Sequence, residues 1–143
     1  SEQVHFLVKK YLGYCKASGK EVGVHMHNNM QLAYANTIEG IIEGANFLDA
    51  TMAGLGRGAG NCPMELLLGF LHNPKYNLRP VLDCVQNHIE PMRANLSWGS
   101  ALPCLLTGMS NQHPRTAIKF KEAERKGVKG DSLDFYDMVT GQE

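Results

Sequence analysis

Two histidines separated by one residue, His25 and His27, are the first side chains here whose type and spacing could do chemistry. They lie in Glu21-Val-Gly-Val-His-Met-His27, where Val22, Val24 and Met26 alternate with Gly23, His25 and His27. That alternation is the pattern of a short strand, and it puts both imidazoles on one face, roughly 7 Å apart along the chain. Two neutral imidazoles at that spacing can share one divalent cation. A cation needs more than two ligands, and Asn61 could add an amide oxygen. Asp49 could accept a hydrogen bond from one ring and orient it, or simply be a satisfied carboxylate at a strand end.

Downstream, the apolar run Phe47-Leu-Asp-Ala-Thr-Met-Ala53 empties into the glycine-dense loop Gly54-Leu-Gly-Arg-Gly-Ala-Gly-Asn61, and Pro63 starts a helix. Glycines let backbone N–H groups approach an anion, and the helix N-terminus that follows favours negative charge. Arg57 and Gly58 are the candidate substrate-binding residues of this loop, with a solvated Arg57 as the plain alternative. A tight turn before a helix remains open on spacing alone. The dinucleotide fingerprint also fits in its looser form, Gly54-x-Gly56-x-x-Ala59, but no acidic residue ends a second strand about 20 residues on, so this reading ranks below metal chemistry. Cys62 reads as a packing residue, since no base is placed beside it. His5 and His88 fall on helices and read as packed or solvated. Asn111-Gln-His113-Pro reads as a helix entry with no chemistry attached, and Trp98 as an anchor in the helical part.

The elements that must position these residues follow from periodicity. Val4, Leu7, Val8, Tyr11 and Cys15 predict an amphipathic helix over residues 2 to about 17, ended by Gly19. Ser1 is its N-cap or a residue left by cloning. After the His-x-His strand, Asn28-Asn29 opens a helix with Leu32, Ala35, Ile38 and Ile42 on one side. Gly40 weakens it by about 1 kcal/mol relative to Ala, as a sign either of close packing or of tolerance. A second strand over about 46 to 52 completes a βαβ unit, which implies a parallel sheet in a (β/α)8 barrel or an open doubly wound fold. Both folds put ligands at the carboxyl ends of strands, where His27 and the glycine loop lie.

After the helix from Pro63 to about Leu71 the texture changes. His72-Asn-Pro-Lys-Tyr-Asn77 reads as a linker. Leu78, Leu82, Val85, Ile89 and Met92 form a strong helical stripe that Pro91 ends or kinks. Three further helices are expected over 99–110, from Pro114 to about Lys126, and from an Asp131 or Ser132 cap through Met138. No strand pattern follows residue 53. The expected organisation is an α/β part over 1–73 and an all-helical part over 74–143.

The chain has 143 residues with fourteen basic and fourteen acidic side chains. That balance argues against a binder of nucleic acid or membrane surfaces driven by bulk charge. No apolar run is long enough to span a bilayer, and no signal peptide is evident. Cys15, Cys62, Cys84 and Cys104 are scattered and read as reduced thiols of a cytoplasmic protein. Because the chain opens directly in a helical pattern, it is expected to be part of a longer protein.

Two blocks then carry a resemblance. Gly23-Val-His-Met-His-Asn-Asn-Met-Gln-Leu-Ala-Tyr-Ala-Asn36 and Asp49-Ala-Thr-Met-Ala-Gly-Leu-Gly-Arg-Gly-Ala-Gly-Asn-Cys-Pro63, in that order and at that separation, closely resemble the DRE-TIM metallolyases. These are the hydroxymethylglutaryl-CoA lyases, isopropylmalate synthases and 4-hydroxy-2-oxovalerate aldolases, the last being the nearest in look. Residues 75 to 143 are faintly similar to the helical C-terminal domain of those aldolases.

The resemblance implies the C-terminal portion of a (β/α)8 TIM barrel, its last two strands with their helices, followed by an all-helical region. It implies a divalent cation, Mn2+ or Mg2+ with Zn2+ as a third option, bound by His25 and His27 with Asn61 nearby. It implies aldol or Claisen chemistry on a small 2-oxo acid. The early Arg-Asp motif of the family, source of a third ligand and a catalytic arginine, has no counterpart here. Catalytic residues are therefore expected in an N-terminal half, and this chain alone is expected to be inactive. The cysteine of the hydroxymethylglutaryl-CoA lyases precedes the loop asparagine, whereas Cys62 follows Asn61, so that role is not carried over. Open strand edges predict a homo-oligomer or pairing with the other half. Two alternatives stand beside this reading. One is a non-catalytic helical module that docks a partner such as an acylating aldehyde dehydrogenase. The other is part of a biotin-dependent carboxyltransferase barrel.

Overall fold

The computed structural model describes residues 2–141, so the Ser1 cap lies outside the described residues. The chain forms α1 (Glu2–Ala17), β1 (Gly23–His25), α2 (Ala33–Ile42), β2 (Phe47–Asp49), α3 (Met64–Leu71), α4 (Leu78–Cys84), α5 (Leu102–Met109), α6 (Arg115–Arg125) and α7 (Ser132–Thr140). The strands pair in parallel, with Gly23 opposite Phe47, Val24 opposite Leu48 and His25 opposite Asp49. They are shorter than the sequence pattern, but pairing continues as single bridges, His27 with Asn61 and Thr51 with Pro63. Among the described residues no strand follows β2.

The two faces of this ribbon differ as the alternation requires. Val22 and Val24 are buried, while Gly23, His25 and His27 are exposed. Beneath the apolar face lies a core of Ala33, Cys62 and Leu67, with Met26, Tyr34, Ile41, Leu48, Ala50 and Leu71 packed against it.

The side of α2 that meets the sheet is not the expected one. Ala33, Thr37 and Gly40 are buried. Leu32 and Ile42 are exposed. A Cβ on Gly40 would stand 3.1 and 3.2 Å from the two Val24 methyls, so the helix lies on the strand through its small residues. Gly40 thus serves close packing. The helix also begins later than expected, because Asn28 accepts from the Ala33 N–H at 3.1 Å and Gln31 adopts a left-handed turn. At its far end, His5 of α1 lies 3.4 Å from a Glu39 oxygen and 2.6 Å from a Glu43 oxygen, which ties α1 to α2.

From Leu78 to Ala94 the chain is one helical run that changes pitch, with a widened turn over Val85–Ile89 and a tight one over Glu90–Ala94. Pro91 has no N–H to donate and its ring crowds the preceding turn, which accounts for the change just before it. The expected stripe packs on little: none of residues 78–94 is buried, and Leu82 is 46% exposed.

The last three helices enclose a second core of Cys104, Ala117, Phe135 and Val139, and Ala59 of the glycine loop belongs to it. Trp98 is buried and its indole N–H donates to the Ala53 carbonyl at 2.9 Å. Trp98 therefore anchors the helical region to the loop. Gly108 of α5 meets the Asn28–Met30 turn, where an added Cβ would stand 2.9 Å from Met30 Cγ. Asp131 caps α7 by accepting from the Leu133 N–H.

Candidate metal centre

His25 and His27 stand side by side at the end of β1, with ring centroids 5.0 Å apart and planes at 75°. The parallel register sets Asp49 next to His25, and Asp49 Oδ2 lies 3.3 Å from His25 Nδ1. With Nδ1 donating to that carboxylate, Nε2 is the nitrogen left for a cation, and the ring is held in one orientation.

Asn61 reaches the same place through the loop. The chain bends back on itself, with the Asn61 N–H on the Gly54 carbonyl and the Asn28 N–H on the Gly60 carbonyl. The Cys62 N–H donates to Met26. These bonds lay Asn61 alongside His27. Its side-chain amide donates to the Leu55 carbonyl at 3.1 Å, which assigns the NH2 end inward and leaves the oxygen as the available donor atom.

Two glycines permit this course. Gly60 has φ +80° and an added Cβ would overlap the Gly54 oxygen, while a Cβ on Gly56 would stand 2.6 Å from Asn61 Nδ2. The loop glycines thus seat Asn61. Gly58, with φ +63°, lies against Ile118 and Cys104 of the helical region.

The two imidazoles and Asn61 open onto a cavity of about 500 Å³. Arg57 lines it from the loop, and His113, Pro114, Arg115 and Ile118 line it from the start of α6. His113 and Arg115 are functional candidates that sequence reasoning missed. Their only signal was a helix-entry pattern, and nothing local says that this entry docks over His25. His113 Nδ1 accepts from the Arg115 N–H at 3.2 Å, which leaves Nε2 as the nitrogen that faces other partners. Gly58 is absent from this cavity and lines a neighbouring one of about 140 Å³, also with Arg57. A larger hollow of about 740 Å³ runs beside the first turns of α1, which form its wall; His5, one of its lining residues, also offers a ring nitrogen within 4.8 Å of carboxylate oxygens of Glu39 and Glu43.

All four cysteines are free. Burial pushes the Cys62 and Cys104 thiols above their ordinary value, against a smaller opposing effect of Thr37 on Cys62 and Lys121 on Cys104. Both are packing residues at neutral pH. Among the described residues, no helix is long and apolar enough to cross a membrane.

A parallel strand pair with a paired-histidine, amide-oxygen cluster at its carboxyl end defines a class: an α/β protein of the kind that builds sites above strand ends. The comparisons with known proteins narrow it. A family model described as HMGL-like matches residues 3–89, and the chain belongs to that family. Proteins of the family are generally dependent on a divalent metal.

Among relatives, a segment of 55 residues is 54% identical to the oxaloacetate decarboxylase of Mycobacterium tuberculosis, over 38% of this chain and 16% of that protein. A segment of 79 residues is 47% identical to the 4-hydroxy-2-oxovalerate aldolase of Thermus thermophilus, over 52% of this chain and 23% of that protein. The chain thus spans about a fifth of the length of such relatives. A solved structure, the N-terminal domain of a Bacteroides vulgatus protein assigned as an aldolase, superposes with a TM-score of 0.62 at 38% identity. It covers 73% of this chain and 35% of that one. The fold is therefore α/β, rich in helix with a small parallel sheet, consistent with part of a TIM-barrel domain, and the family is one of aldolases and lyases.

Proposed function

We propose that the protein carrying this chain is a carbon–carbon lyase of aldolase type that uses a divalent cation and acts beside the carboxylate of a 2-oxo acid. The observation that carries the reading is the His25–His27 pair at 5.0 Å, with Asp49 on one ring and Asn61 alongside. These donors fit a divalent cation such as Mn2+ better than Mg2+: two imidazole nitrogens, one of them oriented by a carboxylate, favour a transition ion, and an amide oxygen completes the set. When bound, the cation supplies a Lewis acid for the negative charge that develops on the 2-oxo group.

His25 and His27 grip from the strand end, and Asn61 adds its oxygen from the loop. Three donors leave coordination positions for a chelating 2-oxo acid and for a further protein ligand. By the same count, this chain alone is inactive. A second form of the same chemistry is loss of CO2 from a 2-oxo diacid, favoured by the 54% identity to a segment of an oxaloacetate decarboxylase.

The test uses the protein at its natural full length. Pyruvate release from a 4-hydroxy-2-oxo acid and CO2 release from oxaloacetate are followed after treatment with chelator and after Mn2+ is restored. One of the two activities is expected to vanish and return with the cation, and to fall at least about a hundredfold in His25→Ala with His27→Ala. Undiminished activity in chelator or in the double variant would sink the reading.

A further inference from the structure

This chain has equal numbers of acidic and basic side chains, fourteen of each, yet they are not evenly spread around the cavity above β1. Arg57 and Arg115 both line it, together with His25, His27 and His113, and no carboxylate is part of its lining. Both arginines are exposed. Among the described residues neither guanidinium takes part in an ion pair. Two unpaired cations sharing one cavity repel each other, and an anion that fits both relieves that repulsion. A guanidinium presents a planar fork that matches a carboxylate. Pro114 and Ile118 supply an apolar wall in the same cavity.

The cation reading above already accounts for one carboxylate of the substrate, the one beside the 2-oxo group. It leaves the two arginines without a task. We infer that Arg115, with Arg57, holds a second carboxylate, so that the substrate is a 2-oxo dicarboxylic acid whose methylene carbons lie against Pro114 and Ile118. His113, whose Nδ1 accepts from the Arg115 N–H, offers its Nε2 at the same end. The helical region, through the entry to α6, thereby sets which 2-oxo acid is accepted. This inference rests on the 2-oxo acid reading of the site.

The experiment measures binding to the full-length protein loaded with Mn2+, using two stable acids of equal length: 2-oxoglutarate, and 2-oxovalerate, which carries a methyl group in place of the second carboxylate. Wild type is expected to prefer 2-oxoglutarate by about tenfold or more. Arg115→Gln is expected to bring the ratio of the two affinities within about twofold, and Arg115→Lys, which keeps the charge without the fork, to retain part of the preference. The ratio is the readout, because loss of fold lowers both affinities together. Equal affinities in wild type, or an equal fall for both acids in Arg115→Gln, would overturn the inference and leave the metal site intact. If Mn2+ promotes binding of neither acid, the 2-oxo acid reading itself fails and takes this inference with it.

Discussion

The loop from Gly54 to Asn61 and the helical run from Leu78 to Ala94 are the two most strongly patterned stretches of the chain, and they are used in opposite ways. In the loop, Gly56 and Gly60 stand where a side chain would collide with Asn61 or with the Gly54 carbonyl. In the helical run, Leu78, Leu82, Val85, Ile89 and Met92 recur at ideal spacing, and none is buried. A glycine at positive φ reports a constraint that its own neighbours impose. A hydrophobic stripe reports only which face would be buried if something covered it.

The sharpest way to break this contrast is Gly60→Ala. The residue sits at φ +80° with the Gly54 oxygen in the way, so the loop must open, and a loss of about 3 kcal/mol or more is expected in denaturant unfolding. An effect under about 1 kcal/mol would mean that the loop yields easily and that its glycines report little.

Asp49→Ala tests the chemistry of the same region rather than its backbone. The carboxylate is exposed and touches only one face of the site, so stability should change by less than about 0.5 kcal/mol. Mn2+ affinity of the full-length protein, measured by calorimetry, should fall about 10- to 100-fold once the His25 ring loses its acceptor. Unchanged affinity would remove Asp49 from the site.

At the other end of the scale stands Leu82→Ser. With Leu82 46% exposed, the cost to unfolding should stay below about 1 kcal/mol. A loss near 3 kcal/mol would show that the stripe is covered in solution, and the two regions would then be alike.

Legibility followed the range of the interactions. The shared face of His25 and His27 was readable because a strand repeats every two residues, and neighbours alone enforce that. The helix ends near Ala17, Leu71 and Arg125 were readable from the glycine or proline that follows each. The buried face of α2 was not. Leu32, Ile38 and Ile42 offer more apolar area than Ala33, Thr37 and Gly40, but the small residues let the helix backbone approach Val24, and close approach prevailed. Trp98 was readable as an anchor, but its partner, the Ala53 carbonyl, lies 45 residues away.

The sequence by itself determined the strand that aligns two imidazoles, the glycine-rich turn that follows β2, and several of the signals that start and stop the helices. Each depends on residues within a few positions of one another. Only the tertiary structure decided that Asp49 faces His25, which needs the register of two strands, and that His113 and Arg115 line the same cavity, which needs α5 to α7 to dock on the loop through Ala59, Gly58 and Trp98. Periodicity constrains a residue's direction relative to its own backbone, whereas a shared site requires two backbones to be fixed in space, and packing alone supplies that.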